Sequence, residues 1–439
     1  MTNEEFIALH REDDVRGLML AKVPQEVDRA WCAQQIEGWQ TARRKLPRWA
    51  ATPGLHYPPR LSMEQCSSTE TALYKRALVA RLLPEGRTRL VDLTGGLAVD
   101  FSTLAPLFRE SVYVEMQPAL CDLARHNLPL LGLPHAEIWN TASPDPALWA
   151  TPGTVVFLDP ARRDETGRKT VTIEDCTPNI LELQGLWAPC RMAIIKLSPM
   201  LDIAGALRQL SGVREVHVVS LRGECRDLLL VIEPDFRGEP SFHCAALQSF
   251  TQKDGQISQN FGQTPDEIGS FCDESDQKFP TFVCTAGERH PDGQPIAPPV
   301  LAPGTLLFEP GPALLKADCQ DAFAASVATK MAGNGSGPLK KLHPMSNLFA
   351  CIADETAEIT PLLVPHGRVF TLEEQLNFGK QALKTIKELR RANLTLRNFP
   401  GTAEALRRRL HIIDGGDVFL FATTLSDQSH ALLRCSKWR

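Results

Sequence analysis

No CxxC pair occurs in these 439 residues although they include twelve cysteines, and that absence excludes a zinc knuckle and a thioredoxin-type redox motif. The thiols, scattered from Cys32 to Cys435, are expected to be reduced and mostly buried, and no metal site is expected. No stretch approaches the roughly 18 consecutive apolar residues of a membrane span. The segment MTNEEFIALHREDD lacks a basic region followed by an apolar run, so a cytoplasmic chain without membrane association is expected. Internal repeats and low-complexity tracts are also missing. A strong excess of either charge is also absent: the net charge of −5 names no partner, because an RNA binder can carry one basic face on an acidic body. What remains is an ordinary folded composition, with hydrophobic residues at 43% and charged residues at 23%, long enough for two or three domains.

Helical spacing of Phe6 and Leu9, then Val27, Ala30 and Trp31, predicts a helical cap over residues 1–60. From Thr41 to Met63 there are five basic residues, Arg43, Arg44, Lys45, Arg48 and Arg60, and no acidic one, with Trp49 and Tyr57 between them. That pattern fits an RNA-facing strip or a plain solvated linker. Ser67-Ser68-Thr69-Glu70 predicts a capping box with Ser67 as the cap, followed by a helix to about Leu83. Strands and helices then alternate, with strands at Arg89–Val91, Val112–Glu115, Ala136–Trp139, Val155–Leu158 and Met192–Leu197. Such alternation predicts a parallel sheet covered on both faces. Glu215–Ser220 and Leu228–Ile232 suit a hairpin closing one sheet edge. After Pro234 the texture turns to loops and hairpins. A helix around Glu373–Arg391, the strand ANLTLRNF, a helix Thr402–Arg409 and the hairpin VFLFATT/HALLRC are expected beyond Thr371.

The stretch VDLTGGLAVD, residues 91–100, carries the first chemistry. In a doubly wound sheet the first strand-to-helix turn passes under the ligand, and Gly95 and Gly96 keep side chains out of the way. The spacing lacks the three glycines of GxGxxG, so a pyrophosphate is a poor candidate. An amino acid joined to a nucleoside without phosphate, S-adenosylmethionine (SAM), fits better, with Asp92 accepting from its ammonium and the backbone of Thr94 to Gly96 lying along the methionine part. Glu115, 23 residues after Asp92, stands where an acid accepts the ribose hydroxyls. Met116 is placed to pack on adenine, and Asn140 or Thr141 to read the adenine amino group. VVFLDPARRD delivers Asp159 to a strand end beside the transferable methyl, where it orients the acceptor or takes its proton. Arg162 and Arg163 suit a phosphate or another anionic edge.

These residues belong to an ordered set: KLPRW, EQCSSTETALYK, DLTGGLAVD, LDPARRD, IKLSPMLDI, GEC, LLFEPGPALLKA, KLHPMSNLF, HGRVF, ANLTLRNFP and DGGDVFLFATTL. With them the chain resembles class I SAM-dependent methyltransferases, and more closely a bacterial family in which the catalytic domain precedes a ferredoxin-like and a C-terminal THUMP-like domain. The resemblance implies an α/β fold: a Rossmann-like class I methyltransferase sheet with a helical N-terminal cap and two small α+β domains. The implied boundaries are 1–60 for the cap, 61–235 for the methyltransferase domain, 236–370 for the connector and ferredoxin-like domain, and 371–439 for the THUMP-like domain. In related enzymes the helix before the first strand approaches the methionine carboxylate, which gives Lys75 that role here. Lys196, inside IKLSP, suits either contact with the acceptor or, as the commoner case, a strand-end lysine reaching for solvent.

THUMP domains are RNA-binding modules, so the resemblance also implies a tRNA or rRNA substrate. Composition agrees: Lys380 to Arg409 holds nine basic residues against Glu388 and Glu404, and Lys384, Lys387, Arg390, Arg391 and Arg397 are the expected phosphate contacts. Three departures bear on the chemistry. Ala98 stands where the glycine turn often has its last glycine. LDPARRD lacks the aromatic residue with which exocyclic-amine methyltransferases stack a flipped base. Leu197-Ser198-Pro199 stands where 5-methyluridine enzymes carry a nucleophilic cysteine. The open alternatives are an idle RNA-binding or assembly factor that kept the fold, and a small-molecule methyltransferase.

Overall fold

The protein is represented by a computed structural model that describes residues 1–161, 173–174, 176–249, 279–331, 338–351 and 356–438. Two compact units are present, one built on Met1–Val216 and Arg226–Gly238, the other on His217–Cys225, Glu239–Ala246 and Pro280–Arg439. No helix among the described residues is long and apolar enough to cross a membrane. The eleven described cysteines are free thiols, nine of them buried.

The first unit opens with helices α1 (Asn3–His10), α2 (Val15–Leu20), α3 (Arg29–Lys45), α4 (Pro47–Ala51), α5 (Arg60–Gln65) and α6 (Thr69–Leu82). Side chains of Thr2, Asp14 and Asp28 cap the first three, satisfying N–H groups that have no partner within a helix. Phe6, Leu18, Val27, Cys32 and Ile36 form one buried cluster. The far end of α3 joins another, in which Ala42, Leu46, Trp49 and Tyr57 pack with Leu97, Val99 and Leu131. The basic run between Thr41 and Met63, which fitted either an RNA-facing strip or a solvated linker, is in part built into the fold. Trp49 and Tyr57 are core residues, Arg43 pairs with Glu12, Arg60 pairs with Glu64 and Glu37, and Lys45 donates to the carbonyls of Met63 and Glu64. The pairing acids Glu12, Glu37 and Glu64 lie outside the counted segment, so a charge count of that segment does not register them.

The capping residue of α6 is Ser68, whose hydroxyl accepts from the Thr71 N–H at 3.4 Å. Ser67 instead turns inward and donates to Asp100 at 2.7 Å. Strands β1 (Arg89–Asp92), β2 (Glu110–Glu115), β3 (Glu137–Asn140), β4 (Thr154–Leu158), β5 (Met192–Leu197), β6 (Val213–Leu221) and β7 (Glu224–Ile232) follow, with helices α7 (Val99–Leu104), α8 (Pro118–Leu130), α9 (Pro146–Trp149), α10 (Ile180–Gln184) and α11 (Ile203–Gln209) between them. Strand order runs β3-β2-β1-β4-β5-β7-β6. The pairs β1–β2, β2–β3, β1–β4 and β4–β5 are parallel, and β5–β7 is antiparallel. Order reverses between β1 and β4, which opens a crevice at their carboxyl ends. Every residue of β4 and β5 is buried, as expected of central strands covered on both faces.

The second unit contains β8 (Ser241–Leu247) and β9 (Thr281–Thr285), an antiparallel pair. The β6–β7 hairpin is not a sheet edge, since β8 lies next to β6 and the Ser220 hydroxyl donates to the Ala245 carbonyl at 3.1 Å. A seven-stranded sheet follows, built from β10 (Leu306–Pro310), β11 (Leu339–Lys341), β12 (Phe349–Cys351), β13 (Gly367–Asn377), β14 (Asn393–Arg397), β15 (Val418–Thr424) and β16 (His430–Lys437) in the order β11-β12-β10-β13-β16-β15-β14. Its helices are α12 (Pro312–Ala317), α13 (Gln320–Met331), α14 (Thr356–Leu363), α15 (Lys380–Lys387) and α16 (Ala403–Leu410). The position expected to begin the last domain, Thr371, falls inside β13, which pairs with β10 on one side and β16 on the other.

The helix expected from Glu373 begins only at Lys380. Glu373 to Asn377 have good helix formers among them, yet β16 pairs along them and Arg434 binds both Glu373 and Glu374. Tertiary pairing overrides local propensity here. Beyond Gly379 the helical preference takes hold, and Ala382 and Ile386 of α15 pack with Leu406 and Leu410 of α16.

Candidate active site

A cavity of about 850 Å³ lies at the carboxyl ends of β1, β2, β4 and β5. Asp92, Thr94, Gly95, Gly96, Glu115, Met116, Thr141 and Asp159 all line it, so eight residues singled out by sequence converge on one space. Their geometry follows from the glycine turn. The Gly95 N–H donates to the Val114 carbonyl at 2.8 Å, fixing the turn against β2. Gly96 has φ of 52°, a left-handed conformation that glycine adopts at little cost, and its N–H donates to Glu115 Oε2 at 3.0 Å. The other carboxylate oxygen of Glu115 accepts from the Gln117 N–H at 2.9 Å. Glu115 is thus anchored by two backbone donors at the rim of the cavity, and each oxygen keeps further lone pairs for a diol.

Asp92 is buried at the end of β1, where its Oδ1 accepts from the Thr94 N–H at 3.0 Å. Burial, reinforced by the charges of Asp100, Asp159 and Glu115, pushes its carboxyl up to about 8 against the pull of the Thr94 N–H. The Thr94 hydroxyl accepts from the Asp159 N–H at 2.6 Å, tying the glycine turn to the end of β4. Of the two residues considered for adenine, Asn140 spends its amide on the Glu115 and Met116 carbonyls, whereas Thr141 lines the cavity. Met116 is largely exposed beside it.

Two sequence-based placements need correction. Lys75 does not reach the cavity. It is 1% exposed, and its ammonium is surrounded by Ser67 Oγ at 2.9 Å, Asp100 Oδ1 at 2.9 Å and Asp227 Oδ2 at 2.8 Å. Lys196 does not reach for solvent. It lines the cavity and its Nζ lies 2.5 Å from Asp159 Oδ2 and 3.9 Å from Asp100 Oδ2. Burial alone would lower the Lys196 ammonium, but the carboxylates of Asp159, Asp227 and Asp100 outweigh it and hold it above its ordinary value. Burial likewise opposes ionisation of Asp100, and Lys75 and Lys196 reverse that, holding it below the usual carboxylate range. A chain of alternating charges, Asp227, Lys75, Asp100, Lys196, Asp159, therefore runs from beneath the sheet end into the cavity. The sequence signal was available: a lone lysine in MAIIKL, a strand otherwise apolar, needs a carboxylate partner when buried.

Arg162 and Arg163 lie outside the described residues. In the second unit Lys384, Lys387, Arg390 and Arg391 are exposed, and among the described residues no ion pair engages them. Arg397 differs: it binds Glu309 Oε1 at 2.5 Å, a buried carboxylate also held by Arg368, so it braces the sheet and is removed from the phosphate contacts. Arg407 and Arg408 pair with Asp414 and Glu404, and Arg409 stacks over Phe378 at 5.0 Å.

Sheet order, the glycine turn and the acid at the second strand together define a class I methyltransferase fold. Residues 367–437 match the THUMP domain-like family. A crystal structure of a candidate methyltransferase from Porphyromonas gingivalis W83 superposes over 100% of this chain and 98% of its own, with a TM-score of 0.76 and 29% identity. An uncharacterised S-adenosylmethionine-dependent methyltransferase of Mycobacterium tuberculosis is 28% identical over 197 residues, 44% of this chain. The aligned region spans 53% of that relative, about half its length. The chain is a class I methyltransferase-fold protein with a C-terminal THUMP-like domain.

Proposed function

We propose that this protein is a SAM-dependent methyltransferase acting in the cytoplasm on structured RNA, tRNA or rRNA. The observation that carries the reading is the convergence of Asp92, the Thr94–Gly96 backbone, Glu115 and Asp159 on one cavity. The donor set suits SAM: a buried carboxylate for an ammonium, a turn without side chains, and an anchored carboxylate for a ribose diol. Bound there, SAM supplies a methyl group on a sulfonium, a strong electrophile. Asp92 binds the amino acid end, Glu115 the sugar, Thr141 and Met116 the base, and Asp159 faces the acceptor. Much of the rate then comes from alignment of the acceptor lone pair, with few chemical groups needed. RNA enters the reading through the THUMP-like region and the four free cations on and after α15, which suit phosphate contacts that position RNA without reading its sequence.

The test is tritiated methyl transfer from SAM into total RNA, with calorimetry of S-adenosylhomocysteine alongside. Wild type is expected to bind and to transfer, Asp159→Ala to bind without transferring, and Glu115→Ala to lose most of its affinity. Binding without transfer to any RNA by wild type would favour the idle factor. Label passing from SAM into small molecules of a cell extract, with none entering RNA, would favour a small-molecule acceptor.

A further inference from the structure

The position of Lys196 bears on the atom that receives the methyl group. We propose that the acceptor is a hydroxyl oxygen of the RNA, a ribose 2′-OH, with Asp159 as the base and Lys196 as a catalytic residue that stabilises the developing alkoxide. This rests on the function proposed above and names its acceptor.

Three features of the cavity support a hydroxyl. First, its only aromatic lining residue among those described is Phe157, which is 2% exposed, so no ring stands ready to stack on an extruded base. Second, Cys66 is the one lining thiol. It donates to the Met63 carbonyl at 3.3 Å, and burial raises it against the pull of Lys45, keeping it a neutral thiol unsuited to attack on a pyrimidine ring carbon. Third, the charges at the cavity floor discriminate between acceptor atoms. A neutral nitrogen attacks without first losing a proton, so it leaves Lys196 paired with the Asp159 carboxylate and without a part in the step. A hydroxyl passes its proton to Asp159, and neutralising that carboxylate frees the Lys196 ammonium to stabilise the negative charge developing on oxygen.

Lys196 is committed to that role by its surroundings. Asp159 lies within 2.5 Å and Asp100 within 3.9 Å, while Asp100 is shared with Lys75 and Ser67. The lysine is therefore cationic and held at the end of β5 beside Asp159, the one carboxylate among the described residues that both touches it closely and faces the open cavity. In the step itself the hydroxyl proton passes to Asp159, the oxygen lone pair forms the O–CH3 bond, and the S–CH3 bond breaks with its electron pair left on sulfur. The products are the 2′-O-methyl ribose and S-adenosylhomocysteine, and Asp159 returns its proton to water.

The test uses the full chain, tritiated SAM and total RNA from cells deleted for this protein. A 2′-O-methyl group blocks alkaline cleavage of the following phosphodiester, so wild-type label is expected in alkali-resistant dinucleotides. Label in alkali-released mononucleotides carrying a methylated base would overturn the inference and leave the methyltransferase reading intact. Absence of label from every RNA would overturn both. Lys196→Met is expected to lower single-turnover transfer by about 10²-fold or more, with S-adenosylhomocysteine affinity by calorimetry unchanged within about threefold, and Lys196→Arg to recover part of the rate. Loss of homocysteine-nucleoside binding in Lys196→Met, or full transfer by it, would remove Lys196 from the chemistry.

Discussion

The ring of Tyr113 fills the space that any side chain at Gly95 would need: a Cβ there would lie 2.1 Å from the ring edge. The same tyrosine donates from its hydroxyl to the Gly96 carbonyl at 2.6 Å, so one side chain both demands the first glycine and holds the second. Gly95→Ala must displace the ring or the turn, an overpacking that costs about 1–3 kcal/mol. Urea unfolding is expected to show that loss, and calorimetry a weakened affinity for S-adenosylhomocysteine. Tyr113→Ala in the same chain opens the space and should restore part of the affinity relative to Gly95→Ala alone. An additive loss would show that the turn does not depend on this contact.

Asp92 gives the unliganded protein a pH dependence of definite sign. With its carboxyl pushed up to about 8 by burial, the folded state holds a proton that the unfolded chain releases near 4. This group therefore lowers stability as pH rises from about 4 to about 8. Accepting from an ammonium requires the ionised form, so cofactor binding expels the proton below pH 8. Affinity for S-adenosylhomocysteine should rise with pH, by up to about tenfold per unit between 6 and 8, and then level off. Calorimetry in two buffers of different ionisation enthalpy should detect the released proton, and Asp92→Asn should abolish both the release and the slope.

Ala98, the departure from an all-glycine turn, already adopts the left-handed conformation, with φ of 63°, and its N–H donates to the Gly95 carbonyl at 2.8 Å. The turn thus closes despite the methyl group. Glycine at this position would relieve about 1–2 kcal/mol of backbone strain, but it would lose a buried methyl worth about 0.8 kcal/mol and loosen the unfolded chain. Ala98→Gly is therefore expected to leave both thermal midpoint and cofactor affinity nearly unchanged. Ala98→Val, a β-branched residue at positive φ, is expected to lower the midpoint by several degrees.

Much of this site was legible because its signals are local. A strand ending in Asp-Leu-Thr-Gly-Gly, an acid 23 residues later and a strand ending in Asp-Pro each declare a position at a sheet end. The charge chain was not legible in the same way. Lys75, Asp100, Lys196 and Asp227 are separated by up to 152 positions, and only the crossing of β5, β7 and α6 beside the glycine turn brings them together. The fold failed to be read for the same reason at Glu373–Asn377, where the partner strand lies about 60 residues onward. Ser67 and Ser68 compete for one cap within one turn, and the choice was made by Asp100, 33 residues away.

The distribution of arginines in the second unit separates binding from bracing. Lys384, Lys387, Arg390 and Arg391 are exposed, whereas Arg397 and Arg368 share the buried carboxylate of Glu309. If the first four meet phosphates, neutralising them releases fewer counterions on binding. Substituting all four by alanine should weaken RNA affinity and reduce the slope of log K against log salt by about 0.7 per lost contact with a single strand, at an unchanged thermal midpoint. Arg397→Ala should do the reverse, destabilising the chain by about 1–3 kcal/mol through a carboxylate left partly unpaired, with the salt slope intact. Filter binding of radiolabelled RNA across a salt series, with calorimetric melts of the same variants, measures both quantities. A reduced slope in Arg397→Ala would return that arginine to the RNA-contacting set.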